Sequence, residues 1–76
     1  MPCVTPTGEL TPSGRTILEV LVDPSTVDEI ARATGLPIFR TRAALREFLA
    51  AGLAQEEGGR YRATARGLER LQPPAR

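Results

Sequence analysis

Apolar residues recur at helical spacing in three successive segments of the chain, and the first segment lies between residues 11 and 22. Its inward face is predicted to consist of Ile17, Leu18, Leu21 and Val22. Threonine can cap free backbone N–H groups and proline suits the first helical turn, so Thr11 and Pro12 predict the start of this helix. The pair Asp23-Pro24 is expected to end it.

The second helix is predicted to be short and to begin at a capping box. Thr26 stands three residues before Glu29, the spacing at which each side chain can accept a hydrogen bond from the other residue's backbone N–H group. Its inward face is predicted to consist of Val27, Ile30, Ala31 and Thr34. Gly35 is expected to close the helix in the left-handed conformation.

A third helix is predicted to follow almost at once, starting at Leu36-Pro37 and stopping at Gly52. The spacing of its apolar residues defines an inward face of Ile38, Thr41, Leu45, Phe48 and Leu49. The outward stripe then consists of Phe39, Arg42, Ala43 and Arg46, with Arg40 on its flank. The exposed side of this helix is therefore expected to be rich in arginine.

After the third helix the pattern changes from helical to alternating. Residues 53–57 and 60–63 are predicted to form the two strands of a tight hairpin. Gly58-Gly59 would supply its two-residue turn, since paired glycines tolerate the positive φ that such a turn needs. This register sets Glu57 opposite Arg60, which is a favourable cross-strand pair.

The remaining segments complete a single small domain. Thr64 is expected to cap a final short helix. Residues 1–10 and 73–76 are predicted to be disordered tails, which leaves one domain over residues 11–72. The predicted fold is α+β and mostly α, with three helices, a two-stranded hairpin and a short C-terminal helix.

Composition excludes several classes of protein. Of the 76 residues, 41% are apolar but only 4% are aromatic, so the core is expected to consist of Leu, Ile, Val and Ala. The single cysteine, Cys3, and the absence of histidine rule out an intrachain disulfide and a structural zinc site, and we predict no metal and no cofactor. No signal peptide and no apolar stretch of membrane-spanning length is visible, which predicts a cytoplasmic protein with no membrane partner.

The net charge of +1 hides an asymmetry between the two parts of the chain. Residues 1–36 carry two arginines against five carboxylates, a net charge of −3, whereas residues 37–76 carry eight arginines against four carboxylates, a net charge of +4. This distribution predicts an acidic face and a basic face.

Several spacings along the chain carry a resemblance to a known family. The run TVDEIARATGLPIFRTRAALREFLAAGL, followed by EEGGRYRATARGLERL, resembles the winged helix-turn-helix family of bacterial regulators. The resemblance rests on Ala31 four residues before Gly35, the Gly35-Leu36 turn, Leu45 with Ala51-Gly52-Leu53, and Tyr61 before Thr64 and Gly67. The run GLPIFRTRAALREFLAAGL is also similar to the C-terminal winged helix of bacterial DNA-processing proteins.

The resemblance implies binding to double-stranded DNA and a role in transcription regulation. In that family the third helix enters the major groove, while the hairpin, called the wing, contacts phosphate or the minor groove. The residues expected to bind DNA are Phe39, Arg40, Arg42 and Arg46 on the third helix, and Arg60 and Arg62 on the wing. Arginine suits this role because its planar fork can bond guanine O6 and N7 or hold a phosphate.

These residues also have alternative interpretations. Phe39 is expected first of all to fold back onto the core beside Ile38, and otherwise to meet a thymine methyl group or a protein partner. The arginines of the third helix can equally form a solvated basic face. Arg60 can pair with Glu57 across the hairpin, and with Glu56 beside it this would weaken the positive field of the wing.

We predict that the chain is not an enzyme. Ser13 and Ser25 have no histidine to activate them, and a domain of this size lacks the walls for a substrate pocket of about 300 Å³ or more. A second hypothesis is a winged helix used for protein contact in a DNA-processing or recombination assembly. The short helix after Thr64 predicts a monomer or a weak homodimer.

Overall fold

A computed structural model describes residues 10–71 of the chain. These residues form an α+β fold that is mostly helical, with four helices and one antiparallel hairpin. The elements in chain order are α1 Pro12–Val20, α2 Val27–Thr34, α3 Ile38–Ala51, β1 Ala54–Glu57, β2 Arg60–Ala63 and α4 Ala65–Leu71. The two segments predicted to be tails lie outside the described residues, except for Leu10, which packs against the core.

Helix α1 begins where the sequence predicts but ends earlier. The Thr11 hydroxyl accepts a hydrogen bond from the backbone N–H of Gly14, and Pro12 occupies the first turn. The helix stops at Val20 because the backbone N–H of Leu21 turns back to the carbonyl of Leu18 at 3.0 Å. This tighter turn takes Val22 off the buried face and leaves it 57% exposed, so its predicted place in the core was wrong.

Helix α2 confirms the predicted caps at both of its ends. The Thr26 hydroxyl accepts from the backbone N–H of Glu29 at 3.2 Å, and the Glu29 carboxylate accepts from the backbone N–H of Thr26 at 2.9 Å. Gly35 closes the helix with a φ of 75°, in the left-handed region that disfavours side chains with a Cβ. Helix α3 starts three residues later, so the connection between the two helices is short.

The hairpin has the predicted register and also a third partner. Gly58 and Gly59 form its turn, and Glu57 lies opposite Arg60. On the far side of β2, Tyr61 exchanges two backbone hydrogen bonds with Ser25, at 2.8 and 2.9 Å. The segment between α1 and α2 therefore lies alongside the hairpin and holds it against the helices.

The core lies between the first three helices and the start of the hairpin. Its buried apolar members are Ile17, Leu18, Leu21, Ile30, Ala44, Leu45, Phe48, Leu53 and Ala54. Ile38 and Leu49 were predicted to face inward, but they are 39% and 40% exposed. A helix buries a stripe of its surface about 100° wide. On α3 this stripe includes Ala44 and ends at Leu45, and Ile38 and Leu49 lie just outside it on the Leu45 side.

Helix α4 is held against the domain by two contacts with distant parts of the chain. Gly67 is buried, and a Cβ at this position would collide with the carbonyl oxygen of Leu53. The Arg15 guanidinium donates hydrogen bonds to the carbonyls of Arg70 and Leu71, at 3.2 and 3.0 Å, and so caps the end of the helix. The cap predicted at Thr64 is present, since its hydroxyl accepts from the backbone N–H of Gly67 at 3.2 Å.

Candidate nucleic-acid interface

The outward face of α3 carries the residues that the sequence predicts there. Thr41, Ala44, Leu45 and Phe48 are buried, and the opposite side of the helix is left to solvent. The exposed residues on that side and its flanks include Phe39, Arg40, Arg42, Ala43 and Arg46. Within α3 the first acidic residue is Glu47, so the exposed residues among the first nine of the helix include three arginines and no carboxylate.

Arg42 and Arg46 line one groove between α3 and the hairpin. The groove encloses about 340 Å³, and its other lining residues are Val27, Leu45, Leu49 and Tyr61. Because the two arginines are four residues apart, they project from one side of the helix. The groove thus places two guanidinium groups beside a phenol ring.

Tyr61 is a member of this groove that the sequence analysis did not single out as a site residue. It is partly buried, and its ring lies on the core-facing side of β2. Within residues 10–71, the structure gives its hydroxyl no hydrogen bond. The sequence signal that could have found Tyr61 is the alternation of side chains along a strand. Residues 60 and 62 face one side of the hairpin, so residue 61 faces the other.

The hairpin arginines lie apart from the α3 groove. Arg60 and Arg62 share the outer face of the hairpin with Gln55 and Glu57, where they line a separate hollow that also includes Pro24. The six predicted site residues therefore do not converge on one pocket. Arg42 and Arg46 lie at the groove between α3 and the hairpin, Arg60 and Arg62 lie on the outer face of the hairpin, and Phe39 and Arg40 line a hollow between α1 and α3.

Arg60 forms an ion pair that the sequence did not predict. Its guanidinium nitrogen lies 3.6 Å from a carboxylate oxygen of Glu29, at the start of α2. Glu57, the expected partner, stands opposite Arg60 in the register but is not its ion-pair partner in the part of the chain described. Both side chains of the observed pair are about half exposed, so the pair contributes about 0–1 kcal/mol and can be exchanged for a phosphate at little cost.

Carboxylates weaken the positive field at the tip of the hairpin. Glu56 and Glu57 are both exposed next to the turn. The Glu56 carboxylate accepts a hydrogen bond from the backbone N–H of Gly59 at 2.8 Å, which holds it at the tip. The tip therefore carries two carboxylates, and Arg60 stands opposite Glu57 at the other end of the turn.

Phe39 does not fold back onto the core, and the interpretation placed first for this residue was wrong. Its side chain is 73% exposed, the highest value among the exposed large apolar residues described. It lies at the edge of a hollow of about 180 Å³ between α1 and α3, which Ile17 and Leu36 also line. Thr41, Ala44, Leu45 and Phe48 form the core-facing side of α3, and Phe39 projects from the opposite side of the helix.

No protein-family model matches this sequence, and no curated protein matches it either.

Among residues 10–71, no group of three or more Cys, Asp or Glu side chains is placed to hold a metal ion. None of the helices described is both long and apolar enough to cross a membrane.

Proposed function

We propose that this chain is a winged helix-turn-helix domain that binds double-stranded DNA, either as a small bacterial transcriptional regulator or as the DNA-binding part of one. The observation that carries the proposal is the exposed pair Arg42 and Arg46 on α3, at a groove beside the hairpin. The arrangement of the elements supports it. A short connection at Gly35 joins α2 to α3, and a hairpin follows α3 directly.

In this proposal α3 lies in the major groove of the duplex. An α-helix fits the width of that groove, and a guanidinium can bond both O6 and N7 of a guanine. Arg42 and Arg46 project from one side of the helix and serve as the base-reading pair. Arg40, on the flank of α3, is positioned for the phosphate backbone at the edge of the groove.

The hairpin has a supporting role in this proposal. Arg60 and Arg62 contact phosphates, which position the domain but carry no base information. Arg60 exchanges the Glu29 carboxylate for a phosphate when DNA binds. Because the tip carries Glu56 and Glu57, the hairpin lies against the backbone and does not insert into the minor groove.

The proposed activity is binding without catalysis, and a regulator of this kind acts in the cytoplasm as a monomer or weak homodimer. A direct test is the affinity of the full chain for mixed-sequence duplexes over a range of salt concentrations. We expect binding at low salt, with log K falling linearly against log salt by about 0.9 for each phosphate contacted. Absence of binding to any duplex at low salt would contradict the proposal.

A second candidate function is contact with a protein partner in a DNA-processing or recombination assembly. The observation that favours it is Phe39, an exposed aromatic ring beside the hollow between α1 and α3. Exposed aromatic residues commonly anchor protein interfaces. This candidate predicts no salt-dependent affinity for duplex DNA, so the same titration separates the two.

A further inference from the structure

Phe39 is the most exposed large apolar side chain on the described surface, and it lies in the first turn of α3. It shares the outward face of the helix with Ala43 and Arg46, which follow it by four and seven residues. The face that carries the arginines therefore also carries an aromatic ring. The basic surface alone does not account for this ring, because exposing it to water is unfavourable.

The surroundings of Phe39 restrict what can cover it. Arg40, Arg42 and Arg46 are all exposed around it, and no carboxylate precedes Glu47 in the helix. Glu47 lines the hollow beside the ring, but arginines outnumber carboxylates on this face, so it suits an anionic partner that presents an apolar group at the point of contact. Ala43 adds only a methyl group beside the ring, so the partner can approach the helix closely.

The major groove of DNA satisfies both conditions. Its phosphates are anionic, and the C5-methyl group of thymine is the apolar group that base pairs present in that groove. In helix-turn-helix domains it is the N-terminal residues of the recognition helix that contact base edges. Phe39 is the second residue of α3 and lies in that region.

We propose that Phe39 is a specificity-determining residue that packs against the C5-methyl group of a thymine, close to the base pair contacted by Arg42 or Arg46. This inference rests on the proposed DNA-binding function and adds to it the identity of one preferred base. Burying one methyl group changes the affinity by about fourfold, because it contributes about 0.8 kcal/mol.

The experiment replaces each thymidine in turn by deoxyuridine, which removes only the methyl group. The probe is a high-affinity duplex obtained by selection from a random library with the full chain. We expect the affinity of the wild-type chain to fall about fourfold when one or two particular thymidines are replaced, and to stay unchanged when any other thymidine is replaced. In Phe39→Ser the affinities for the thymidine and deoxyuridine duplexes should become equal, which is a double-mutant cycle between ring and methyl group.

A matched control is Val22→Ser. The Val22 side chain is apolar and 57% exposed, and it lies two residues after the end of α1. This variant should keep the full preference for thymidine. Thermal unfolding of both variants checks that the fold is intact.

Three results would overturn the inference, and they have different meanings. If the wild-type chain binds every deoxyuridine duplex equally well while Arg42→Ala and Arg46→Ala still weaken binding, DNA binding stands and Phe39 does not read thymine. If the methyl effect persists in Phe39→Ser, another residue reads the methyl group. If no duplex is bound even at low salt, the proposed function fails as well, and an exposed Phe39 then belongs to a protein interface.

Discussion

Helix α4 packs against the backbone of Leu53 at Gly67, and Gly67→Ala tests this contact sensitively. A Cβ at position 67 would collide with the Leu53 carbonyl oxygen and would lie 3.4 Å from the Cβ of Ala63. The same carbonyl oxygen accepts a hydrogen bond from the backbone N–H of Thr64 at 3.0 Å. Relieving the collision therefore requires α4 to move away and to lengthen that hydrogen bond.

The magnitude follows from opposing effects. Forcing an additional group into a packed site costs about 1–3 kcal/mol. Weakening the Thr64 hydrogen bond adds about 0.5–1.5 kcal/mol. Replacing a helical glycine by alanine offsets this by up to about 1 kcal/mol. We expect the free energy of unfolding to fall by about 2 kcal/mol, which lowers Tm by about 8–16 °C in a domain of this size.

Thermal unfolding followed by circular dichroism measures this change. The matched control is Glu69→Ala, an exposed position on the same helix, which should change stability by no more than about 0.5 kcal/mol. Helix propensity alone predicts the opposite sign for Gly67→Ala. A Tm that is unchanged or raised would therefore refute the close approach of α4 to Leu53.

Two further predictions concern the turn between α2 and α3 and the hairpin. At Gly35 a Cβ would have no neighbour within 4 Å, so Gly35→Val should cost about 1–2 kcal/mol through the positive φ alone, measured by urea unfolding. Equal midpoints for the variant and the parent would count against that turn. Arg60→Ala and Arg62→Ala should each weaken binding to all duplexes to a similar extent, measured by fluorescence anisotropy, because phosphate contacts are independent of sequence. A change in the preferred sequence would show instead that the hairpin reads bases.

The order of elements was predictable from local signals. Thr11-Pro12 and the pair Thr26 and Glu29 start helices through bonds between residues three apart, so the sequence alone reveals them. Gly35 ends a helix and Gly58-Gly59 makes a turn for reasons of backbone conformation, which are equally local. The exposed arginines of α3 followed from helical spacing.

Contacts between distant segments were not predictable in the same way. The bridge between Ser25 and Tyr61 depends on how the α1–α2 connection meets the hairpin. The pair of Glu29 with Arg60 depends on the same approach, and it replaced the expected partner, Glu57. Phe39 shows the reverse case, because helical spacing placed it correctly on the outward stripe and only the expected fold-back onto the core was wrong.

We propose that the exposed side of α3 reads base pairs, and the base preference given by Arg42 and Arg46 distinguishes base reading from phosphate contact. The measurement compares the wild-type chain with Arg42→Ala and with Arg46→Ala on duplexes that each differ from a selected site at one base pair. We expect at least one variant to lose about 1–3 kcal/mol of discrimination at a single guanine. A uniform loss of affinity, with the salt slope reduced by about one unit, would show that the arginine contacts only phosphate. Unchanged affinity for every duplex in both variants would contradict the claim.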